Sequence, residues 1–276
     1  MRILIVHNAY QQRGGEDSVV EAEVELLRAH RHTVELHQKD NAEIAGMSRW
    51  HLLTATIWSR RTVADMGSIL GRARPDLIHV HNTFPLISPS LYWAADQAGI
   101  PVVQTLHNFR LFCPQAMFLR EETVCEDCLG HVPWRGVTRA CYRGSVAQSA
   151  VLAGMVTTHR VLGTWRNKVT RYIALNEFCR RKFVEGGLPA ERVMVKPNFV
   201  DFAAPPAGER SDFLFVGRLS AEKGIRTLVD AALKIPEARF AVAGSGPEAG
   251  LLAAAANIRE LGPLPSAAVR ERMVAA

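Results

Sequence analysis

The sequence lacks any apolar run long enough to cross a lipid bilayer. Its longest stretch without a charged residue or a histidine, Gly144 to Thr158, has 15 residues, whereas a membrane-spanning helix needs about 20. Only four strongly apolar residues, Ile3 to Val6, precede His7 at the N-terminus, and the core of a signal peptide needs roughly 7 to 15. We therefore expect no transmembrane helix and a cytoplasmic protein.

Cysteine is also scarce, with 5 among 276 residues, which argues against a fold built on disulfides. Hydrophobic residues make up 48% and charged residues 22% of the chain. This mix is typical of a globular protein with a sizeable core and not of a disordered or collagen-like chain. The length allows one large domain or two of about 140 residues each.

The positive charge is concentrated in one segment. The net charge is +6, and the segment from His159 to Lys182 has seven Lys and Arg residues against one acid, Glu177. Such a patch suits an anionic surface or a phosphate-bearing ligand, although a solvated basic helix face is the alternative. Aromatic residues are not regularly interleaved with these cations, so we do not expect nucleic acid as a partner.

Short apolar strands alternate with helical patterns along the first 200 residues. The predicted strands are Arg2 to His7, Thr33 to His37, Asp76 to His81, Pro101 to Leu106, Tyr172 to Leu175 and Val193 to Val195. The predicted helices are Ser18 to Ala29, Arg49 to Leu70, Ser88 to Ala98 and Glu177 to Glu185. Apolar strands separated by helices predict an α/β fold with a parallel sheet that is buried on both faces.

The alternation begins again after Ala203 to Arg210, an aperiodic segment with two prolines that we interpret as a linker. The later strands are Phe213 to Val216, Arg239 to Ala243 and Asn257 to Leu261, and the later helices are Ile225 to Lys234, Pro247 to Ala256 and Ser266 to Val274. We therefore predict two Rossmann-like, doubly wound domains, residues 1–200 and 211–276, joined by residues 201–210. A ligand cleft is expected between them, because ligands bind outside the carboxyl ends of parallel strands.

Two glycine-rich turns follow predicted strands. Gly14 and Gly15 follow the first strand, and Gly244-Ser245-Gly246-Pro247 follows the second strand of the second domain. Glycine lets a phosphate or a sugar approach the backbone closely, and a helix N-terminus offers free N–H groups to an anion. Neither turn matches the spaced dinucleotide-binding pattern, and a simple tight turn is the alternative for each.

A pair of cations lies at a third strand-to-helix junction. The segment from Phe215 to Gly224 places Gly217, Arg218 and Lys223 between a predicted strand and a predicted helix. Arg218 could bind a diphosphate through its planar guanidinium, and Lys223 could bind it as a point charge. The two cations would stabilise a diphosphate leaving group without a metal. An exposed basic loop is the alternative.

Four of the five cysteines fall within an insertion at about residues 110–145. Cys113, Cys125, Cys128 and Cys141 form the pattern C-x11-C-x2-C-x12-C. In a reducing cytoplasm, four thiolates with this spacing predict a structural zinc site that holds the insertion together. Unligated cysteines or a redox pair are the alternatives, and Cys179, on a predicted helix, is expected to be simply buried.

The segment from Ala147 to Trp165 is apolar and leads into the basic segment. It could form an amphipathic helix that rests on the inner face of an anionic membrane. A core helix is the alternative.

Several motifs resemble those of family-4 glycosyltransferases of the GT-B fold. FVGRLSAEKG, AVAGSGPE and IRELGPLP are similar to the second-domain signature of that family. VKPNFVD resembles its interdomain PNGVD motif, with Phe199 in place of the usual glycine, and the first domain agrees in its Gly14-Gly15 turn and in the strand that ends at His107.

The resemblance implies a retaining hexosyltransferase that uses a UDP- or GDP-sugar and no catalytic metal. The acceptor would be a saccharide or a lipid-linked saccharide in cell-envelope polysaccharide or glycolipid synthesis. His107 would face the transferred sugar and position it or handle a proton. The donor-binding residues implied by the resemblance are Gly14, Gly15, Asn198, Gly217, Arg218, Lys223, Gly246, Leu261 and Gly262.

The sequence departs from the family at its end. The family's E-x7-E motif is absent, and the chain ends at Ala276 inside the helix expected to precede it. We therefore expect an incomplete second domain with an exposed edge strand and, for this chain alone, weak transferase activity or none. A GT-B nucleotide-sugar epimerase, which the FVGRL motif disfavours, and a non-catalytic zinc-containing protein that binds nucleotides or nucleic acid are the alternatives.

Overall fold

The computed structural model describes residues 1–11, 14–200, 210 and 212–276. These residues belong to two compact units, Met1–Asp201 and Phe202–Ala276. The predicted linker, apart from Arg210, lies outside the described residues.

The first unit is built on a six-stranded parallel sheet. The first unit contains the strands β1 (Arg2–Ala9), β2 (Thr33–Asp40), β3 (Leu77–Asn82), β4 (Val102–Leu106), β5 (Leu119–Arg120), β6 (Thr123–Val124), β7 (Arg171–Ala174) and β8 (Val193–Val195). Of these, β5 and β6 form a separate two-stranded ribbon, and the other six form the large sheet. The order in the large sheet is β2-β1-β3-β4-β7-β8. The chain thus moves to one side of β1 first and then to the other, so that β1 and β3 flank the point where the winding reverses. Ligands of doubly wound folds bind at the carboxyl ends of the strands at that point.

Helices cover both faces of this sheet, as expected for parallel strands that are apolar throughout. They are α1 (Gly15–Ala29), α2 (Arg49–Ile57), α3 (Arg60–Ala73), α4 (Ser90–Gln97), α5 (Trp134–Thr138), α6 (Val146–Val161), α7 (Thr164–Asn167) and α8 (Glu177–Glu185), with 3-10 helices at Asn41–Gly46 and Ala190–Arg192. Leu4, Val6, Ile78 and Val80 of the two central strands are fully buried in the core.

The helical region predicted for residues 49–70 is helical but not continuous, because α2 and α3 are separate helices. The chain breaks at Trp58 and Ser59, and the Ser59 hydroxyl accepts a hydrogen bond from the Thr62 N–H at 3.1 Å. A serine that caps a helix N-terminus satisfies a backbone donor that would otherwise lack a partner. A second serine hydroxyl, that of Ser88, accepts from the Ser59 N–H at 3.0 Å, which fixes the break against the core.

The apolar segment before the basic residues forms a core helix. Leu152, Met155 and Val156 of α6 are buried, and Trp165, 5% exposed, lies on the separate helix α7. Of the two alternatives for this segment, the structure therefore shows the core helix. The apolar face of α6 packs against the rest of the first unit. Among the described residues, no helix is both long and apolar enough to span a membrane.

The second unit has a three-stranded parallel sheet with the order β11-β10-β9. Its elements are β9 (Asp212–Val216), α9 (Ile225–Lys234), β10 (Arg239–Ala243), β11 (Ile258–Gly262) and α10 (Ser266–Ala275), with 3-10 helices at Ala221–Lys223 and Ala249–Ala254. The helix predicted for residues 247–256 is thus a shorter 3-10 helix. The residue before this 3-10 helix, Glu248, is fixed by its N–H, which donates to the Leu219 carbonyl at 2.9 Å. Gly250 inside the segment lowers its preference for an α-helix.

Candidate functional site

Histidines gather at the carboxyl ends of the central strands of the first unit. His79 and His81 lie on β3, and His107 directly follows β4. Because alternate residues of a strand point to the same face, the two β3 histidines lie side by side. Glu23 of α1 packs against both, with its Oε2 3.3 Å from His79 Nδ1 and 3.4 Å from His81 Nε2. We call Glu23, His79, His81 and His107 the histidine cluster.

His107 joins the cluster through His81. Its Nε2 lies 3.0 Å from His81 Nδ1, and the two rings are stacked. Burial lowers the pKa of His107 and the pKa of His79 to about 3 each. Both rings are therefore neutral near pH 7. A neutral imidazole can accept a hydrogen bond or a proton, which an imidazolium cannot do.

Glu23 stays ionised although its side chain is buried. Burial alone would raise the pKa of Glu23, but the contacts with His81, His79 and Lys196 outweigh it and lower this pKa to about 2. The closest of these contacts is with Lys196, whose Nζ lies 2.7 Å from Glu23 Oε1. Lys196 also lies 5.5 Å from the centre of the Phe199 ring. Phe199, the residue that replaces the motif's glycine, therefore packs on the cation that neutralises Glu23.

The first glycine turn is connected to the same region through Asp17. The Gly14 N–H donates to Asp17 Oδ2 at 2.7 Å, and Asp17 Oδ1 lies 2.8 Å from His7 Nε2. Gly15 begins α1, and a Cβ at that position would meet no atom within 4 Å. Packing within the chain therefore does not demand glycine at position 15.

A second acid of α1 contacts the residue after His107. Glu16 accepts a hydrogen bond from Asn108 at 2.9 Å and another from the Tyr10 hydroxyl at 3.0 Å. Burial raises the pKa of Glu16. The first turn of α1 thus presents a carboxyl group that binds a proton more readily than usual beside the histidine cluster.

In the second unit, the residues implied for donor binding come together at one edge of the sheet. Ala243 at the end of β10 pairs in register with Val216 of β9 and with Gly262 of β11. Gly217 and Arg218 follow β9, Gly246 lies in the turn after β10, and Leu261 and Gly262 end β11. The Arg218 guanidinium contacts the Glu222 carboxylate. Lys223, at the end of the 3-10 helix Ala221–Lys223, is exposed.

The glycines after β10 are required by the packing of two loops. A Cβ at Gly246 would lie 2.3 Å from the Leu219 carbonyl oxygen, and one at Gly244 would lie 1.8 Å from that of Gly217. The Leu219 N–H also donates to the Ser245 carbonyl at 2.9 Å. Packing alone therefore requires these glycines, as the tight-turn alternative expects, and a contact between Gly246 and a donor stays a prediction. Asn198 is exposed and lies on the segment after β8 in the first unit.

The four cysteines of the insertion line one small cavity together with Arg120 and Arg139. Burial raises the pKa of the Cys128 thiol and of the Cys141 thiol. All five cysteines are free of disulfides. Cys179 is half-buried on α8 and lies outside the group that lines the cavity.

The basic segment does not form one free patch. Lys168 contacts Asp96 at 2.5 Å, and Lys182 contacts Glu126 at 2.7 Å. Arg160 donates to the His131 carbonyl at 2.6 Å. Acids and carbonyls from outside the segment thus satisfy several of its cations, which weakens the expectation of a single surface for an anionic partner.

The sequence reasoning missed most of the histidine cluster and the ion pair between Glu23 and Lys196. Signals for it were present. Glu23 occupies a position between Val20 and Val24 on the apolar stripe of α1, where an acid is out of place. His79 and His81 alternate inside an otherwise apolar strand, near its carboxyl end. Buried ionisable groups in such positions point to a functional site.

A family profile and several solved structures are similar to this chain. The profile of Glycosyltransferase Family 4 matches residues 13–204, while no curated protein sequence matches the chain. Sucrose-phosphate synthase from Thermosynechococcus elongatus has a similar structure, with a TM-score of 0.61 at 15% identity over 100% of this chain and 73% of that one.

Two further structures are similar. The Anabaena protein HepE in complex with UDP and glucose has a TM-score of 0.53 at 16% identity, over 99% of this chain and 72% of that one. The lipopolysaccharide outer core galactosyltransferase WaaB has a TM-score of 0.54 at 14% identity, over 99% of this chain and 71% of that one. At these identities the likeness shows the fold, and it confirms the prediction of a GT-B α/β fold. With the family profile covering more than half of its length, the chain belongs to Glycosyltransferase Family 4.

Proposed function

We propose that the protein transfers a hexose, with retention of anomeric configuration, from a UDP- or GDP-sugar to a saccharide or lipid-linked acceptor of the cell envelope. The observation that carries the proposal is the carboxyl edge of the second sheet, where backbone hydrogen bonds join the ends of the three strands and the segments that follow them and where Arg218 and Lys223 lie in the segment after β9. HepE, bound to UDP and glucose, supports the donor class. WaaB, a lipopolysaccharide galactosyltransferase, supports the acceptor class.

Arg218 and Lys223 are assigned to the diphosphate. A guanidinium can bind two phosphate oxygens at once, and an ammonium adds a point charge. Both cations stabilise the negative charge that develops on the departing diphosphate, so this step needs no metal. Glu222, which contacts Arg218, orients the guanidinium, and Ser220 donates to the same Glu222 oxygen at 2.7 Å.

His107 is assigned to the transferred sugar, and its neighbours fix the position of its proton. The ionised Glu23 favours the His81 tautomer that carries its proton on Nε2, which leaves His81 Nδ1 as an acceptor. His107 Nε2 then donates to His81 Nδ1, across the 3.0 Å contact. His107 Nδ1 is left unprotonated and can accept a hydrogen bond or a proton from a sugar hydroxyl.

Donor binding tests the proposal. Isothermal titration with UDP and GDP should show saturable binding of one of the two. Arg218→Ala and Lys223→Ala should each weaken it by about 10- to 100-fold, the loss expected for one charge-assisted contact. The matched controls are Arg239→Ala, at the amino end of β10, and Lys234→Ala, in the last turn of α9. Failure of both nucleotides to bind, or equal losses in the controls, would contradict the assignment.

The stereochemistry has its own test. Proton NMR of the first-formed product should show the anomeric configuration of the donor, and an inverted product would overturn the retaining assignment while leaving the donor class intact.

A further inference from the structure

We propose that Cys113, Cys125, Cys128 and Cys141 bind one zinc ion that holds the insertion at residues 110–145 together. The inference is independent of the transferase reaction. Four sulfur ligands from the protein fill a tetrahedral zinc site and leave no position open for a substrate. The ion would therefore be structural.

The first pair of ligands lies on one tight turn. Cys125 directly precedes, and Cys128 lies within, a turn in which the Leu129 N–H donates to the Glu126 carbonyl at 2.9 Å. Gly130 continues the turn with a φ of 72°, a conformation that glycine adopts without strain. A turn of this kind brings two cysteines separated by two residues to the same side of the backbone, as zinc sites require.

The second pair comes from two other turns. Cys113 begins a turn closed by the Ala116 N–H, which donates to the Cys113 carbonyl at 2.9 Å. Cys141 follows α5, and its N–H donates to the Gly136 carbonyl at 3.0 Å. Three separate turns thus deliver four sulfur atoms to the walls of one small cavity. Every cysteine of the insertion therefore lines the same space.

The charges around the cavity suit a tetrathiolate centre. Four thiolates and one Zn²⁺ have a net charge of −2, and each thiol that binds releases its proton to solvent. Arg120 and Arg139 line the same cavity, and Arg139 Nη1 lies 3.8 Å from Cys125 Sγ. The two guanidinium groups also contact the carboxylates of Glu121 and Asp127, so they would offset only part of the charge of the centre while orienting its ligands.

The insertion also needs a cross-link. Its regular structure is limited to β5 and β6, of two residues each, and α5, of five. Six of its non-glycine residues have positive φ values: Ala116, Phe118, Glu121, Glu122, Ala140 and Arg143. Such conformations are unfavourable and persist only where the surroundings hold them. A metal bound by residues from all its turns would supply that restraint.

Binding would draw the thiols closer together. Among the described residues, the group whose ligating atoms already lie within 4.8 Å of one another is Glu23, His79 and His81, and no three of the four sulfur atoms meet that criterion. Sulfur atoms on one zinc ion are about 3.8 Å apart, given Zn–S bonds of about 2.3 Å. The sulfurs must therefore move inward across the cavity they share.

The metal content of the unmodified protein tests the proposal directly. Protein purified under reducing conditions without chelator should contain about one zinc ion per chain by inductively coupled plasma mass spectrometry. After chelation, titration with Co²⁺ should give the intense visible bands of a tetrahedral tetrathiolate centre. Zinc near zero without such bands, or a Cys125–Cys128 disulfide in protein taken from reducing cytoplasm, would overturn it.

Variants then assign the ligands. Cys125→Ser and Cys128→Ser should each lose the zinc, whereas Cys179→Ser, outside the cavity, should retain it. Circular dichroism shows whether each variant is folded, and the cobalt spectrum of the unmodified chain does not depend on any variant. A folded Cys125→Ser protein that still contains one zinc ion would refute the assignment.

Discussion

Glu23 shows how one buried charge can organise a site. A carboxylate removed from water is costly unless it is paired and hydrogen-bonded, and the Glu23 side chain is almost fully buried. It is tolerated because Lys196 lies 2.7 Å away and two histidine nitrogens lie within 3.4 Å. In turn, the negative charge of Glu23 fixes which ring nitrogens of these histidines carry a proton.

Replacement of Glu23 by glutamine should therefore change the protonation of His107. A carboxamide donates as well as accepts, so it no longer dictates the tautomer of His81 or, through it, that of His107. Long-range ¹H–¹⁵N NMR of the unmodified protein should show His107 protonated at Nε2 and unprotonated at Nδ1. In Glu23→Gln this preference should be lost or reversed.

Glu25→Gln is the matched control, since Glu25 is exposed on the same helix. An unchanged His107 spectrum in Glu23→Gln would show that the carboxylate does not act on His107.

At the scale of elements, the differences between expectation and structure have local causes. A serine cap divides the segment at residues 49–70, because the Ser59 hydroxyl accepts a hydrogen bond from the Thr62 N–H and so begins a new helix. In the second unit, the loops after β9 and β10 approach so closely that the Leu219 N–H donates to the Ser245 carbonyl at 2.9 Å. The shapes of these loops depend on glycines that have no room for a side chain.

Gly246→Ala should destabilise the second unit by about 1–3 kcal/mol, the cost of overpacking a close contact. The added Cβ would meet the Leu219 carbonyl oxygen, a backbone atom that cannot rotate away. Hydrogen exchange followed by mass spectrometry should show faster exchange in β10. Gly250→Ala, whose Cβ would meet no atom within 4 Å, should leave exchange in β10 unchanged.

At the scale of the whole molecule, the buried histidines make stability depend on pH. His79 and His107 have an ordinary pKa of 6.5 when unfolded and a pKa of about 3 when folded. Between these values the unfolded chain binds more protons than the folded one, so acid favours unfolding. The stability that the neutral rings provide is complete above about pH 6.5 and is lost as the pH falls towards 3.

The urea midpoint of the first unit should therefore fall between pH 7.5 and pH 5. Tryptophan fluorescence reports on this unit alone, because all five tryptophans lie within Met1–Asp201. His79→Gln should reduce the change of midpoint with pH, and His51→Gln, exposed on α2, should not. An equal pH response in all three proteins would assign the effect to other groups.

The sequence by itself determined the α/β alternation, and in several places the boundaries. The helices at residues 177–185 and 225–234 and the strands at residues 193–195 and 239–243 begin and end where the pattern predicted. These features depend on hydrophobic periodicity and end signals within a few neighbouring residues. The family motifs were readable for the same reason, since each is a short continuous run.

Only the tertiary structure decided which side chains meet. Lys196 pairs with Glu23 across 173 positions of sequence, and His107 meets His81 across 26. The strand order that places β3 beside β4 sets the contact between His81 and His107. Lys168 and Lys182 likewise find their acid partners, Asp96 and Glu126, on segments distant in sequence. Local sequence patterns encode the period of an element but not the distance between two elements, so the charge on Glu23 and the neutrality of His107 follow from the fold alone.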